Sequence, residues 1–306
     1  MKANSIFANL VRAENGTFCT AYGPIFLQSA LQPIFRRAED GLFAIDSFEG
    51  LVRASRDGTP YPPAQFFGLV AKEDMGMIDS MLRTIHILNT GALNRPGARI
   101  FVNFTPGLYR SAQEMKQEAE RIRLATREAG MTPDRIVCEI SEKAGENNKL
   151  PRHFVDLLRE NGFRIAIDDY GAGDSDIERV KQLRPDYVKF EANWVRDFMH
   201  NSAGAALLRV IVGQFGESGI QAVFEGLEEM WQVDLCEELG VPLMQGYALA
   251  RPELAPTTFN ERFPEGVAQA ERSPAAGPLP SRPAPLAARS EPRPLRPAKT
   301  FGRRVS

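Results

Sequence analysis

Residues able to hold a hard cation, or to act beside one, recur in this sequence at the ends of short apolar runs. Asn103 follows ARIFV, and Glu139 and Glu142 lie in RIVCEISE. The adjacent pair Asp168 and Asp169 ends FRIAI, and Lys189 follows DYV. Glu225 follows IQAVF, Gln245 follows PLM, and Glu49 lies late in LFAIDSFEGLVR. If these runs are strands of one barrel, their ends converge on a single mouth. Five carboxylates (Glu49, Glu139, Asp168, Asp169 and Glu225) then meet with one Asn, one Lys and one Gln. Such a density of like charge must take up protons or bind cations. All-oxygen ligands suit Mg2+ or Mn2+ better than metals that seek imidazole or thiolate. Neighbouring aspartates let one carboxylate bridge two ions while the other holds the second, and paired ions are the usual clamp for in-line phosphoester cleavage. A lysine among them can orient an attacking water or neutralise developing charge.

The elements that must position these residues are legible as alternating strand and helix patterns. Strands are expected at 31–36, 42–53, 98–105, 135–142, 163–171, 186–191, 220–226 and 242–250, several apolar nearly throughout, as for strands buried on both faces. Amphipathic stretches lie between most of them, several ending in Gly, as helices with a left-handed cap do. Only RAEDG joins the first two strands, too short for a crossover helix, so they should pair antiparallel. The remainder reads as βα units, which predicts an α/β fold: a modified TIM (β/α)8 barrel with an antiparallel first strand pair.

The chain has 306 residues, 43% of them hydrophobic, and a net charge of -2, so nothing pulls it globally toward a nucleic acid polymer. No apolar run is long enough to insert in a membrane, and the N-terminus lacks signal-peptide features, so a cytoplasmic location is expected. The three cysteines fit free thiols in a reducing compartment, with Cys138 and Cys236 in the core. His86, His153 and His200 have no metal-ligand spacing and read as surface or helix-packing residues. Trp194 and Trp231 read as helix packing. Residues 264–306 hold 9 of the 22 prolines, with seven Arg and one Lys against three Glu. That predicts a disordered basic tail, open to a protein partner. The expected organisation is a lead-in at 1–20, a barrel at 21–263 and the tail at 264–306.

The ordered pieces LQPIF, FEGLVR, VNFT, CEISE, IDDYGAGDS, YVKFE, VFEGLEE and MQGYALARP resemble the EAL-domain family of cyclic di-GMP phosphodiesterases across about residues 24–253. The resemblance implies a two-metal hydrolase that opens cyclic di-GMP to linear pGpG, acting as a homodimer. It implies that Glu49, Asn103, Glu139 and Asp168 hold the first ion. Asp168 would bridge to a second held by Asp169 and Glu225. Lys189 would hold and polarise the attacking water, with Gln245 close by. Gln32 and Arg53 resemble substrate contacts, and Glu142 a loop anchor. The chain departs from the family pattern in three places. The signature triplet is Glu49-Gly50-Leu51, with Gly for Ala, a change expected to be tolerable because the small middle residue is not the ligand. The loop reads DYGAGDSD. Glu191 replaces Asp two residues after Lys189, where a longer acid could misplace a hydrogen bond behind the ligands. The alternative is a family member that binds cyclic di-GMP, or a protein, without turnover.

Overall fold

In the structure, a computed structural model that describes residues 6–38, 41–141, 152–171 and 177–265, two short strands, β1 (Val11–Arg12) and β2 (Phe18–Tyr22), precede the first long one. β3 (Ile25–Arg37) and β4 (Phe43–Arg56) pair antiparallel from Phe26↔Ser55 to Arg37↔Phe43, as their short connection requires. β5 (Thr59–Tyr61) folds back on the end of β4. The strands β6 (Arg99–Phe104), β7 (Ile136–Ser141), β8 (Arg164–Tyr170), β9 (Tyr187–Phe190), β10 (Gln221–Phe224) and β11 (Leu243–Met244) then follow one another in parallel from β4, and β11 closes the barrel antiparallel to β3. Eight strands, β3, β4 and β6–β11, form the wall. The expected mixed α/β barrel with an antiparallel first pair is therefore the observed fold.

The helices are α1 (Pro63–Leu69), α2 (Met75–Ala92), α3 (Ala112–Glu128), α4 (Arg152–Glu160), α5 (Ile177–Leu183), α6 (Ala192–Met199), α7 (Ser202–Glu217) and α8 (Met230–Leu239). Local chemistry sets their ends. Ser111 accepts a hydrogen bond from Glu114 N at the start of α3, and Asn201 does so from Gly204 N at the start of α7. Gly240, at φ 76°, takes the left-handed turn that ends α8.

Two details depart from the sequence expectation. The final strand, expected over 242–250, is only Leu243–Met244. Gly246 then passes so close to Leu227 that a Cβ would lie 2.0 Å from its carbonyl oxygen, and Ala248 N donates to Leu227 O. The chain leaves the sheet there to pack on the loop after β10. Part of the lead-in, β2, pairs antiparallel with β3 and extends the sheet beyond the barrel wall.

Beyond the wall, β12 (Glu253–Leu254) pairs with β3, and α9 (Phe259–Arg262) packs against the outer face of β3 and β4. Phe259 is fully buried with its ring 5.8 Å from that of Phe48, and Phe263 lies 5.0 Å from Phe35. Arg95 donates to Phe263 O (2.6 Å) and to Asn260 Oδ1 (3.1 Å), which ties this segment to the turn before β6. Residues 142–151, with Glu142, and most of the DYGAGDSD loop lie outside the described residues, as does the tail from 266 onward.

Candidate active site

A single apolar layer inside the barrel explains how the polar residues come to share one mouth. Phe101, Val137, Ala166, Tyr187, Val223 and Leu243, one from each parallel strand after β4, pack together with Ile34 of β3. Side chains two apart on a strand share a face. Two residues after these six come Asn103, Glu139, Asp168, Lys189, Glu225 and Gln245. β3 runs the other way, so Gln32 lies two residues before Ile34, paired directly with Glu49 of β4. The apolar layer sets which face points inward, and the next inward position on every strand is polar.

Asp169 breaks this rule, because neighbours on a regular strand point to opposite faces. The β8–β9 register slips between Ile167 and Tyr170, and Asp169 takes a left-handed φ of 60°. For a non-glycine residue that backbone is uncommon and costs of order 1–3 kcal/mol. It turns the second carboxylate back to the mouth. Carboxylate oxygens of Asp168, Asp169 and Glu225 then lie within 4.8 Å of one another.

Lys189 stands at the centre, 1% exposed. Its Nζ is 2.7 Å from Glu139 Oε1, 3.1 Å from Glu225 Oε2, 3.3 Å from Glu49 Oε2 and 3.8 Å from Asp168 Oδ1. Burial opposes the ammonium charge, but these four carboxylates together hold it above the ordinary lysine value. One cation does not neutralise them. Burial raises Glu139 well above the usual carboxylate range, helped by Asp168 and Glu49, and raises Glu225 to about 7. Gln245 donates to Glu49 Oε2 at 2.7 Å. Among the described residues, Glu139 Oε2 and Asp168 Oδ1 are buried without a hydrogen-bond donor. Surplus negative charge and unmet oxygen acceptors on converging strands are what a hard divalent cation requires, so the residues present fit such ions.

Beside this cluster a cavity of about 400 Å³ opens between β4, α1, α2 and the end of β6. Arg53, Asn103 and Thr105 contribute polar edges, and Leu51, Pro63, Phe67 and Met75 apolar walls. Arg53 thus sits apart from the carboxylates, on the same strand as Glu49 and facing the neighbouring hollow.

Sequence reading missed the buried charges behind the mouth. Arg83 of α2 is 2% exposed and donates to Asn103 O (3.0 Å), Tyr109 Oη (2.6 Å) and Glu118 Oε1 (2.6 Å), with Asp79 also in contact. Burial disfavours both charges, but the pair outweighs it: Arg83 lies above its ordinary value and Glu118 below. An arginine inside the apolar stretch MGMIDSMLRTIHILN was the available signal. His86, one turn on, is a packing residue and not a surface one, at 4% exposure. His153 and His200 are exposed. Glu191 caps α6, accepting from Trp194 N at 2.7 Å. Gly50 fits where a larger residue would not: a Cβ there would lie 2.6 Å from His86 Cγ.

The EAL domain family matches residues 9–252. The chain belongs to the EAL domain family. This EAL domain is 31% identical over 229 residues to the probable cyclic di-GMP phosphodiesterase PdeA of Escherichia coli, covering 72% of this chain and 30% of PdeA. It is 26% identical over 204 residues to the cyclic di-GMP phosphodiesterase PdeF of the same organism. The chain spans about a third or less of the curated relatives it matches. Among solved structures, BlrP1 of Klebsiella pneumoniae in complex with calcium and cyclic di-GMP aligns with a TM-score of 0.65 at 29% identity, over 74% of this chain and 56% of BlrP1. BlrP1 has also been solved with manganese and cyclic di-GMP. A standalone EAL protein of Vibrio cholerae, 21% identical with a TM-score of 0.63, shares the fold. Among the described residues, no helix of the EAL domain is long and apolar enough to cross a membrane.

Proposed function

We propose that this EAL domain hydrolyses cyclic di-GMP to linear pGpG and so lowers the level of that second messenger. The observation that carries the reading is the buried Lys189 inside a ring of strand-end carboxylates whose charge it only partly offsets. Glu49, Asn103, Glu139 and Asp168 would hold one Mg2+ or Mn2+, and Asp168, Asp169 and Glu225 a second. Bound there, the pair would supply Lewis-acid stabilisation of the charge on a transferring phosphoryl group.

The protein's own groups do the rest. Arg53 binds a substrate phosphate through a charge-assisted contact, and Gln32, paired with Glu49, makes a second substrate contact. The apolar-walled cavity next to Arg53 is large enough for a purine base. Lys189 orients the attacking water and offsets charge that develops in the transition state. Asp169 and Glu225 define the side from which water approaches. Gln245 fixes the Glu49 carboxylate by its hydrogen bond. Glu142 serves as an anchor for the loop after Asp169, and the working form is a homodimer in the cytoplasm. The basic Pro-rich segment at 264–306 docks a protein partner.

The test is incubation of the purified chain with cyclic di-GMP and Mn2+, with products resolved by chromatography. Conversion to pGpG is expected, and Asp168→Asn is expected to abolish it together with the Mn2+-induced rise in melting temperature. Tight cyclic di-GMP binding with no product over hours makes the domain a receptor and overturns the reading.

A further inference from the structure

The triplet Glu49-Gly50-Leu51 is packed against a histidine that leaves no room for any other middle residue. On β4, Glu49 faces the mouth and Gly50, next in line, faces α2. His86 of α2 lies directly over Gly50: a Cβ at position 50 would fall 2.6 Å from His86 Cγ, 2.8 Å from its Cβ and 2.9 Å from its Cδ2. The imidazole cannot simply move aside. Its Nδ1 is hydrogen-bonded to Ser29 Oγ at 2.7 Å, both residues are buried, and α2 is anchored by fully buried Ile85 and Ile87 on either side. Ser29 belongs to β3, two residues before Leu31, which pairs with Gly50. The ring therefore spans both strands of the antiparallel pair immediately behind Glu49. It also lines the cavity that holds Arg53.

We propose that His86 is a positioning residue for Glu49 and Arg53, and that Gly50 is glycine because the imidazole takes the volume of a side chain there. An alanine at 50 must push β4 away from α2 or expel the ring, and either movement passes along one peptide unit to Glu49. The pair sets how deeply β4 presents its carboxylate to the ions, which makes Gly50 replaceable only where His86 is replaced as well. The inference rests on the ion-dependent reading of the site.

The test is a double-mutant cycle on the full chain with Gly50→Ala, His86→Ala and both, reading the Mn2+ dissociation constant by titration calorimetry, the turnover of cyclic di-GMP, and the melting temperature in chelator. Gly50→Ala is expected to weaken Mn2+ binding by about tenfold, and the double variant to recover most of that loss, a coupling of the size seen between contacting residues. If Gly50→Ala fails to fold, recovery of both fold and Mn2+ binding in the double variant supports the pairing, and failure to recover overturns it. Gly50→Ala with unchanged Mn2+ affinity, additive losses in the double variant, or a fall in melting temperature alone each overturns it. A wild type that binds Mn2+ but does not hydrolyse sinks the phosphodiesterase reading and leaves the coupling in ion affinity intact. A wild type that binds no divalent ion sinks both.

Discussion

Lys189 Nζ and Glu139 Oε1 lie 2.7 Å apart with both side chains 1% exposed, at the closed end of the mouth. The ammonium is the shared counter-charge of Glu139, Glu225, Glu49 and Asp168, so its removal leaves buried carboxylates facing one another. Lys189→Met is expected to cost about 3–5 kcal/mol in chelator, the usual consequence of stranding buried charge. The same variant should lose hydrolysis but keep its stabilisation by Mn2+, because no proposed ion ligand has been taken away. Chemical unfolding with and without Mn2+ checks this. A variant that still turns over cyclic di-GMP at the wild-type rate contradicts the role given to the lysine.

Glu225 and Arg53 sit in different parts of the site and should fail differently. Glu225 belongs to the carboxylate cluster with Asp168 and Asp169, so Glu225→Gln should depress kcat far more than it raises KM. Arg53 faces the neighbouring cavity, so Arg53→Ala should raise KM, at a cost of about 1.5–3 kcal/mol for a lost charge-assisted contact. Steady-state kinetics on both variants decide the matter, and a reversed pattern exchanges the two assignments.

His86 gives the fold an acid sensitivity that can be assigned to one residue. Burial, with Arg83 and Arg53 nearby, lowers its pKa from 6.5 to about 3. Between those values the unfolded chain binds a proton that the folded one does not, so stability is present above about pH 6.5 and is lost as pH falls toward 3. At pH 5 the loss from this group is about 2 kcal/mol. Unfolding free energies of wild type and His86→Gln at pH 7 and pH 5 should differ in slope by about that amount. Parallel pH profiles would show that the imidazole does not enter the balance.

Phe259 lies beyond the family match yet is buried in the hydrophobic layer outside the barrel wall. Phe259→Ala should cost about 3–5 kcal/mol, as for other large aromatic truncations in cores. Denaturant titration measures it. A loss under 1 kcal/mol would mean that α9 is a dispensable cover and not part of the packed layer.

The barrel and most of its mouth were legible in the order of residues, for a local reason. Strand periodicity is two, so an apolar inner residue such as Val137 or Tyr187 commits the residue two positions later, Glu139 or Lys189, to the same face, and parallel strands bring those positions together. The short RAEDG link likewise could lead only to an antiparallel pair. Features that depend on contacts between distant segments, or on departures from regular backbone, were not legible there. Asp169 reaches the mouth only through a register slip and a left-handed φ, and alternation would have turned it away. Arg83 reads as an ordinary helix charge until Glu118, Tyr109 and the Asn103 carbonyl are seen around it. Gly50 reads as a tolerable replacement for Ala, but only the fold shows that His86, 36 residues later in the chain, fills the space where a side chain would be. No one-dimensional pattern records which volumes will be shared, because that is settled only when α2 docks on β3 and β4.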